Sequence, residues 1–285
     1  MSRAIGLALA LALVPSPAWS YCRTTTSARQ PDPTMCPSTG SPIAWTTGCT
    51  SLRVNPTVLA PGISAAQLHL AVDESVRAWK TITCDATTRA APSFELVLLD
   101  DTTNPVGYFE DRPNQNVVTF RARWGDDEYH DPNAAAITVV TFGSRTGAIL
   151  DADTEFNVVA RYPFSLEGGP GTTDLRTVAT HEFGHTQGLA HSRDRNAVMW
   201  FTAGQGERRR TPNADDVMGL CAVYPPGRAV RCDPELRLQS LGGGGITCAA
   251  SPHGARNGAI GVAAALGLFA LHRRRRRFVA RLLVS

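Results

Sequence analysis

Three of the seven histidines in this 285-residue chain fall in one short run, His181-Glu182-Phe183-Gly184-His185-Thr186-Gln187-Gly188-Leu189-Ala190-His191. Residues four apart on a helix project from one face, one turn apart. His181 and His185 can therefore both reach a single Zn²⁺, with nitrogens at about 2.0–2.1 Å. Glu182 follows the first ligand and is placed to reach a water on the metal rather than the metal itself. Gly188 must end the helix, turning the chain sharply with a positive φ, and the turn lets His191 swing back as third ligand. Three neutral imidazoles leave the dication uncompensated and one coordination position open, which is the arrangement of a catalytic zinc and not a structural one. With 7 His, 9 Glu and 25 Gly in the chain, these five fixed positions arise by chance on the order of 10⁻⁵ times per chain, so coincidence does not compete.

Elements must exist to hold these groups. The run from Thr172-Thr173-Asp174 through Leu175, Val178 and Ala179 predicts the helix that carries them. Ser64 is a helix N-cap, and Leu68, Val72, Val76 and Trp79 line one face of a helix reaching about Ile82. Pro212-Asn213 caps a third helix over Ala214 to Tyr224. Phe94 to Leu99, Val117 to Phe120 and Ile137 to Phe142 read as strands, with a short one at Glu155 to Val159. Strands first and helices after predict an α+β domain over 41–226.

The ends and the cysteines give the setting. Arg3, the apolar run Ala4 to Val14, the breakers Pro15 and Pro17, and Ala18-Trp19-Ser20 read as a signal peptide over 1–20, cut before Tyr21. Seven cysteines, none in a CxxC pair, suggest three disulfides in an oxidising compartment with one cysteine left over. Segment 21–40 is a Thr/Pro/Ser-rich, Cys-containing leader. Segment 227–257 is a Gly/Pro/Arg-rich linker that includes Cys248. Segment 258–285 joins a short apolar run, Gly258 to Leu271, to five arginines, Arg273 to Arg277, which the positive-inside rule keeps on the cytoplasmic side. The formal charge of +3 hides an acidic middle (15 basic and 22 acidic residues in 41–226) and a basic end (10 and 2 in 227–285). A nucleic-acid function would rest on the tail alone and is set aside.

The central run matches the HExxHxxGxxH signature and resembles the metzincin zinc proteases. Asn196-Ala197-Val198-Met199 resembles the Met-turn of that clan, with Met199 under the metal. Within it, His191-Ser192, Ala197-Val198-Met199 and Asp215-Asp216-Val217-Met218-Gly219-Leu220, ending at Tyr224-Pro225, are similar to the matrixin family. The resemblance implies a zincin-type catalytic domain with a mixed, twisted β-sheet and three main helices, with His181, His185 and His191 as zinc ligands and Glu182 as general base. It also implies Gly188 and Met199 as structural support, and polypeptide substrates, cleaved by a monomer and lying extended along Ile137 to Phe142 as an exposed edge strand. Phe201 stands where some metzincins place a Tyr ligand and offers no oxygen. Cys36 in Met35-Cys36-Pro37 is a poor match to the family's cysteine switch, and His130 with Asp131 is too sparse for its second zinc. Asp151, Asp153 and Glu155 form either a Ca²⁺ site or a solvated acidic turn.

The tail resembles the MYXO-CTERM sorting tail of myxobacterial exported proteins, which implies membrane association through the tail, cutting near Cys248 and retention at the cell surface. It departs from that pattern by running on from Phe278 to Ser285, and the alternative for the tail is an ordinary short C-terminal membrane helix. Two alternatives are a zinc-stabilised binding module without hydrolysis, which an intact Glu182 argues against, and a pappalysin-like metzincin, which the final helix argues against.

Overall fold

The computed structural model describes residues 20–27, 32–126, 130–227 and 230, and the backbone of 279–284. Residues 1–19 of the expected signal peptide, most of the expected linker with Cys248, the apolar run 258–271 and the arginines 273–277 lie outside the described residues. Among those described, no helix is long and apolar enough to cross a membrane.

The element order is β1 (Cys49–Asn55), α1 (Ala65–Lys80), β2 (Glu95–Leu98), β3 (Asn116–Arg121), β4 (Ala136–Gly143), β5 (Ile149–Asn157), β6 (Phe164–Ser165), β7 (Thr173–Asp174), α2 (Leu175–Thr186), α3 (Ala214–Val223) and β8 (Val279–Val284). One sheet runs β2-β1-β3-β5-β4-β8. β2, β1, β3 and β5 are mutually parallel, while β4 is antiparallel to both of its neighbours. This is the α+β zincin architecture the sequence predicts, a mixed sheet with three main helices.

Side chains alternate across a strand, so each face of the sheet can be read separately. Leu52, Val54, Leu96, Val118, Phe120 and Phe156 form the inner face and pack on α1 (Leu68, Ala71, Val72, Val76, Trp79) and α2 (Leu175, Val178, Ala179, Phe183) in one core. Farther along β4 and β5 the same face continues as Val140, Phe142, Ile149 and Ala152 against Ile43. α1 begins with a capping box: the Ser64 hydroxyl accepts from the Gln67 backbone N–H, and the Gln67 side chain accepts from the Ser64 N–H. Trp79 then donates its indole N–H to the Thr180 carbonyl at 2.8 Å, locking α1 to α2. The Cys84–Cys221 disulfide ties the exit of α1 to α3, and Cys22–Cys36 closes the leader. Cys49 is disulfide-bonded as well.

Three sequence expectations are corrected. β1 went unpredicted, because Thr-Ser-Leu-Arg-Val shows neither a long apolar run nor strict alternation, yet it is a central strand with neighbours on both sides. β5 begins at Ile149 and not at Glu155; Asp151 and Asp153 read as a polar turn, but both are 1% exposed within the strand. The third correction concerns β4, expected as an open edge. Its outer side pairs with β8 from Thr138↔Val284 to Gly143↔Val279.

Candidate metal centre

α2 is opened by Asp174, whose carboxylate accepts the Thr177 N–H at 2.7 Å, and its last helical residue is Thr186. Gly188 then takes φ +90°. A Cβ there would meet the left-handed steric penalty and would also lie 2.8 Å from the Ile43 carbonyl oxygen. The turn brings His191 back beneath the helix, its ring centroid 5.3 Å from that of His181 and 4.9 Å from that of His185.

The hydrogen bonds fix which nitrogen of each α2 imidazole is available. His181 Nδ1 donates to the Val198 carbonyl at 2.7 Å and His185 Nδ1 to the Leu189 carbonyl at 2.9 Å. A carbonyl only accepts, so Nδ1 carries the hydrogen and Nε2 carries a lone pair. The two Nε2 atoms face each other at 3.0 Å, an arrangement that repels unless a cation lies between them. His191 Nε2 is buried without a hydrogen-bond partner. One ligand atom from each of the three lies within 4.8 Å of the other two, and tetrahedral zinc with bonds of about 2.0–2.1 Å would set them about 3.3–3.4 Å apart. The donor set therefore fits Zn²⁺. Burial holds His181 down at about 4 and, with the His181 charge, His191 at about 3, so all three remain neutral ligands near pH 7.

Glu182 lies on the neighbouring face of α2 and is 3% exposed. Its Oε2 accepts from the Thr138 hydroxyl of β4 at 2.7 Å, which anchors one carboxylate oxygen. Burial pushes its pKa up to about 8, opposed by that bond; a dication beside it would act in the opposite direction. Sequence reasoning missed Thr138, since a threonine in a strand carries no signal of its own.

Met199 is 2% exposed and packs under α2 where Gly184 lacks a side chain; a Cβ at Gly184 would stand 2.2 Å from Met199 Sδ. Asp216 holds this turn from below, accepting the Val198 and Met199 N–H groups at 2.8 and 3.0 Å. Burial raises its pKa to about 6 against those bonds. Asp215, its neighbour on α3, accepts from the Ser192 hydroxyl at 2.6 Å. The sequence marked this Asp pair as family-like without revealing that it braces the metal turn. Phe201 sits beside His191, ring centroids 6.3 Å apart, and contributes carbon only. Arg209 was also missed; its backbone N–H reaches the Thr177 hydroxyl at 2.9 Å, one turn before His181.

The acidic trio is buried and is not a solvated turn, and two of its members are held by protein donors. Asp153 accepts from the Val117 and Gly107 N–H groups, and Glu155 pairs with Arg121 at 3.0 Å and His130 at 3.1 Å. Cys36 is consumed in its disulfide. Among the described residues, the only group of three or more His, Cys, Asp or Glu residues able to hold a metal ion is His181, His185 and His191.

Residues 111–225 match the family model described as Matrixin. The chain is similar to Metalloendoproteinase 5-MMP of Arabidopsis thaliana, 32% identical over 133 residues, covering 45% of this chain and 36% of that protein. It is 36% identical over 95 residues to Matrix metalloproteinase-20 of Homo sapiens, covering 32% of this chain and 18% of that protein. It is 32% identical over 120 residues to Hatching enzyme of Paracentrotus lividus, covering 41% and 19%. The chain thus spans from a sixth to just over a third of the length of the curated relatives it matches.

Proposed function

We propose that this chain is a zinc-dependent endopeptidase built on a matrixin domain, exported and held at the cell surface. One observation carries the activity: three neutral imidazoles, two buried and one half-buried, converge with their free nitrogens inward, and a carboxylate stands beside them that binds none of them. Zinc, when bound, polarises the scissile carbonyl and acidifies a water. The remaining work falls to the chain's own residues. His181 and His185, fixed by their Nδ1 bonds to Val198 and Leu189, orient the ligand set. Glu182, held through Oε2 by Thr138, keeps its other oxygen for a proton, taken during attack and returned to the leaving amine.

A polypeptide substrate would lie extended along the outer edge of β4, adding a strand whose backbone hydrogen bonds are indifferent to sequence. That edge is the one β8 pairs with, so a substrate and residues 279–284 compete for the same N–H and C=O groups. Side-chain selectivity would come from the surfaces around Val178, Trp200 and Phe201. The domain is taken to act as a monomer. Calcium has no place in the proposal, because the oxygens of Asp153 and Glu155 are used by protein donors.

Export rests on the N-terminal signal pattern and on disulfides in the described part, and surface retention on the Cys248, apolar run and arginine cluster. Retention by a tail that crosses a membrane would put residues 279–284 on the far side from β4, so in that state β8 leaves the edge.

The test is Glu182→Gln in the full chain, assayed on a denatured protein with and without a zinc chelator. The variant should retain one zinc and lose about 10²- to 10⁴-fold in turnover. A variant with near-normal turnover would remove Glu182 as the base, and a chelator-insensitive wild type would remove the metal from the reaction.

A further inference from the structure

Residues 20–25 of the leader lie against the metal turn, joined to it by one isolated antiparallel bridge and by flanking hydrogen bonds, although the leader reads from sequence as an irregular appendage. Thr24 donates its N–H to the Gly188 carbonyl at 3.0 Å, and Ala190 donates its N–H to the Cys22 carbonyl at 3.0 Å. Arg23 and Leu189 form an antiparallel bridge. The Tyr21 N–H reaches Asp215 Oδ1 at 2.9 Å, while Oδ2 of the same carboxylate accepts from Ser192. On its other side the turn is held by the Ser192 N–H donating to the Met199 carbonyl at 2.7 Å. The segment bearing the third ligand is therefore paired on both sides, by the leader and by the Met199 turn.

The bond from the Thr24 side chain is the most telling. Its hydroxyl donates to the Leu189 carbonyl at 2.9 Å, the same oxygen that accepts from His185 Nδ1. Thr24 is 3% exposed and Cys22, two residues before it, is also 3% exposed, and the Cys22–Cys36 disulfide ties this segment to the rest of the leader. A carbonyl held by two donors has its direction fixed, and it fixes the imidazole bonded to it; partners of this kind orient ligands and tune metal affinity.

We infer that the leader is a working part of the zinc site, with Thr24 as a positioning residue that orients His185 through the Leu189 carbonyl. The inference rests on the zinc reading above, and the experiment separates the two. Zinc affinity of the full chain is measured by competition with a chromophoric chelator, for wild type, Thr24→Val and Thr24→Ser, with amide hydrogen exchange followed at Leu189 to Arg193. Valine keeps the shape and removes the hydroxyl; serine restores it.

Thr24→Val should bind zinc about tenfold more weakly, Thr24→Ser should recover most of that loss, and the Ala190 amide should remain protected in both. A Cys22→Ser, Cys36→Ser double variant should also weaken zinc, with faster exchange at Ala190. Wild-type affinity in Thr24→Val overturns the inference. So does a loss that serine fails to recover, because the hydroxyl is then not the cause. A wild type that binds no zinc defeats the proposed function, and this inference with it.

Discussion

Two places in this protein bury histidine beside carboxylate, and they do opposite things with them. Around β5, on the sheet face away from α1 and α2, Glu155 accepts from both His130 and Arg121, and Asp153 is filled by two backbone N–H groups. At the end of α2, each Nδ1 of His181 and His185 is spent on a carbonyl so that each Nε2 is not, and His191 Nε2 has no partner at all. A buried polar group left unpaired costs about 1–3 kcal/mol, so unpaired nitrogens that converge on one point mark a place for a ligand. Satisfied groups at the same depth mark structure. Residue type alone does not separate the two regions; where the lone pairs go does.

The contrast can be broken by substitution. The largest effect belongs to His191→Ala, which should take zinc from one equivalent to none and abolish peptidase activity while the fold persists. Elemental analysis beside far-UV circular dichroism checks this, and full zinc occupancy in the variant would mean that His191 is not a ligand. Glu155→Gln should do the reverse. Breaking a buried pair leaves His130 and Arg121 without this carboxylate and costs about 3 kcal/mol, read as a lower denaturation midpoint, while zinc stoichiometry stays at one. Loss of zinc on that substitution would tie the two regions together.

The smallest effect sharpens the contrast through pH. Burial raises Asp153 to about 7, against a lowering by the Val117, Gly107 and Asp151 bonds. Between its ordinary value of 3.8 and that level, the folded chain holds a proton the unfolded chain has released. This contribution is therefore fully present below about pH 4 and is lost as pH rises through about 7. The triad has the opposite sense, because its pKa values are depressed. Thermal midpoints of wild type and Asp153→Asn across pH 4 to 8 should converge as pH rises, and parallel curves would refute the assignment.

The ligand run was legible because local geometry does most of the work there. Helical periodicity puts His181 and His185 on one face, and Gly188 can hardly be another residue at φ +90°. The third helix was legible through its Asn213 cap and the strands through their β-branched runs. The acidic trio was misjudged because three acids in five residues look solvated until a neighbouring strand and loop supply their donors. β1 was missed because its character comes from the strands on either side of it.

The sequence by itself determined the α+β class and the candidate ligand run, three histidines at metal-ligand spacing with a carboxylate beside the first, since that run is encoded within a few turns of chain. Only the tertiary structure decided what holds those groups in place. Thr138 reaches Glu182 from 44 residues away, and Thr24 reaches Leu189 from 165 residues away. Asp216 holds the Met199 turn from α3. Hydrogen bonds form between whatever folding brings within about 3 Å, and spacing along the chain carries no record of which distant hydroxyl that will be.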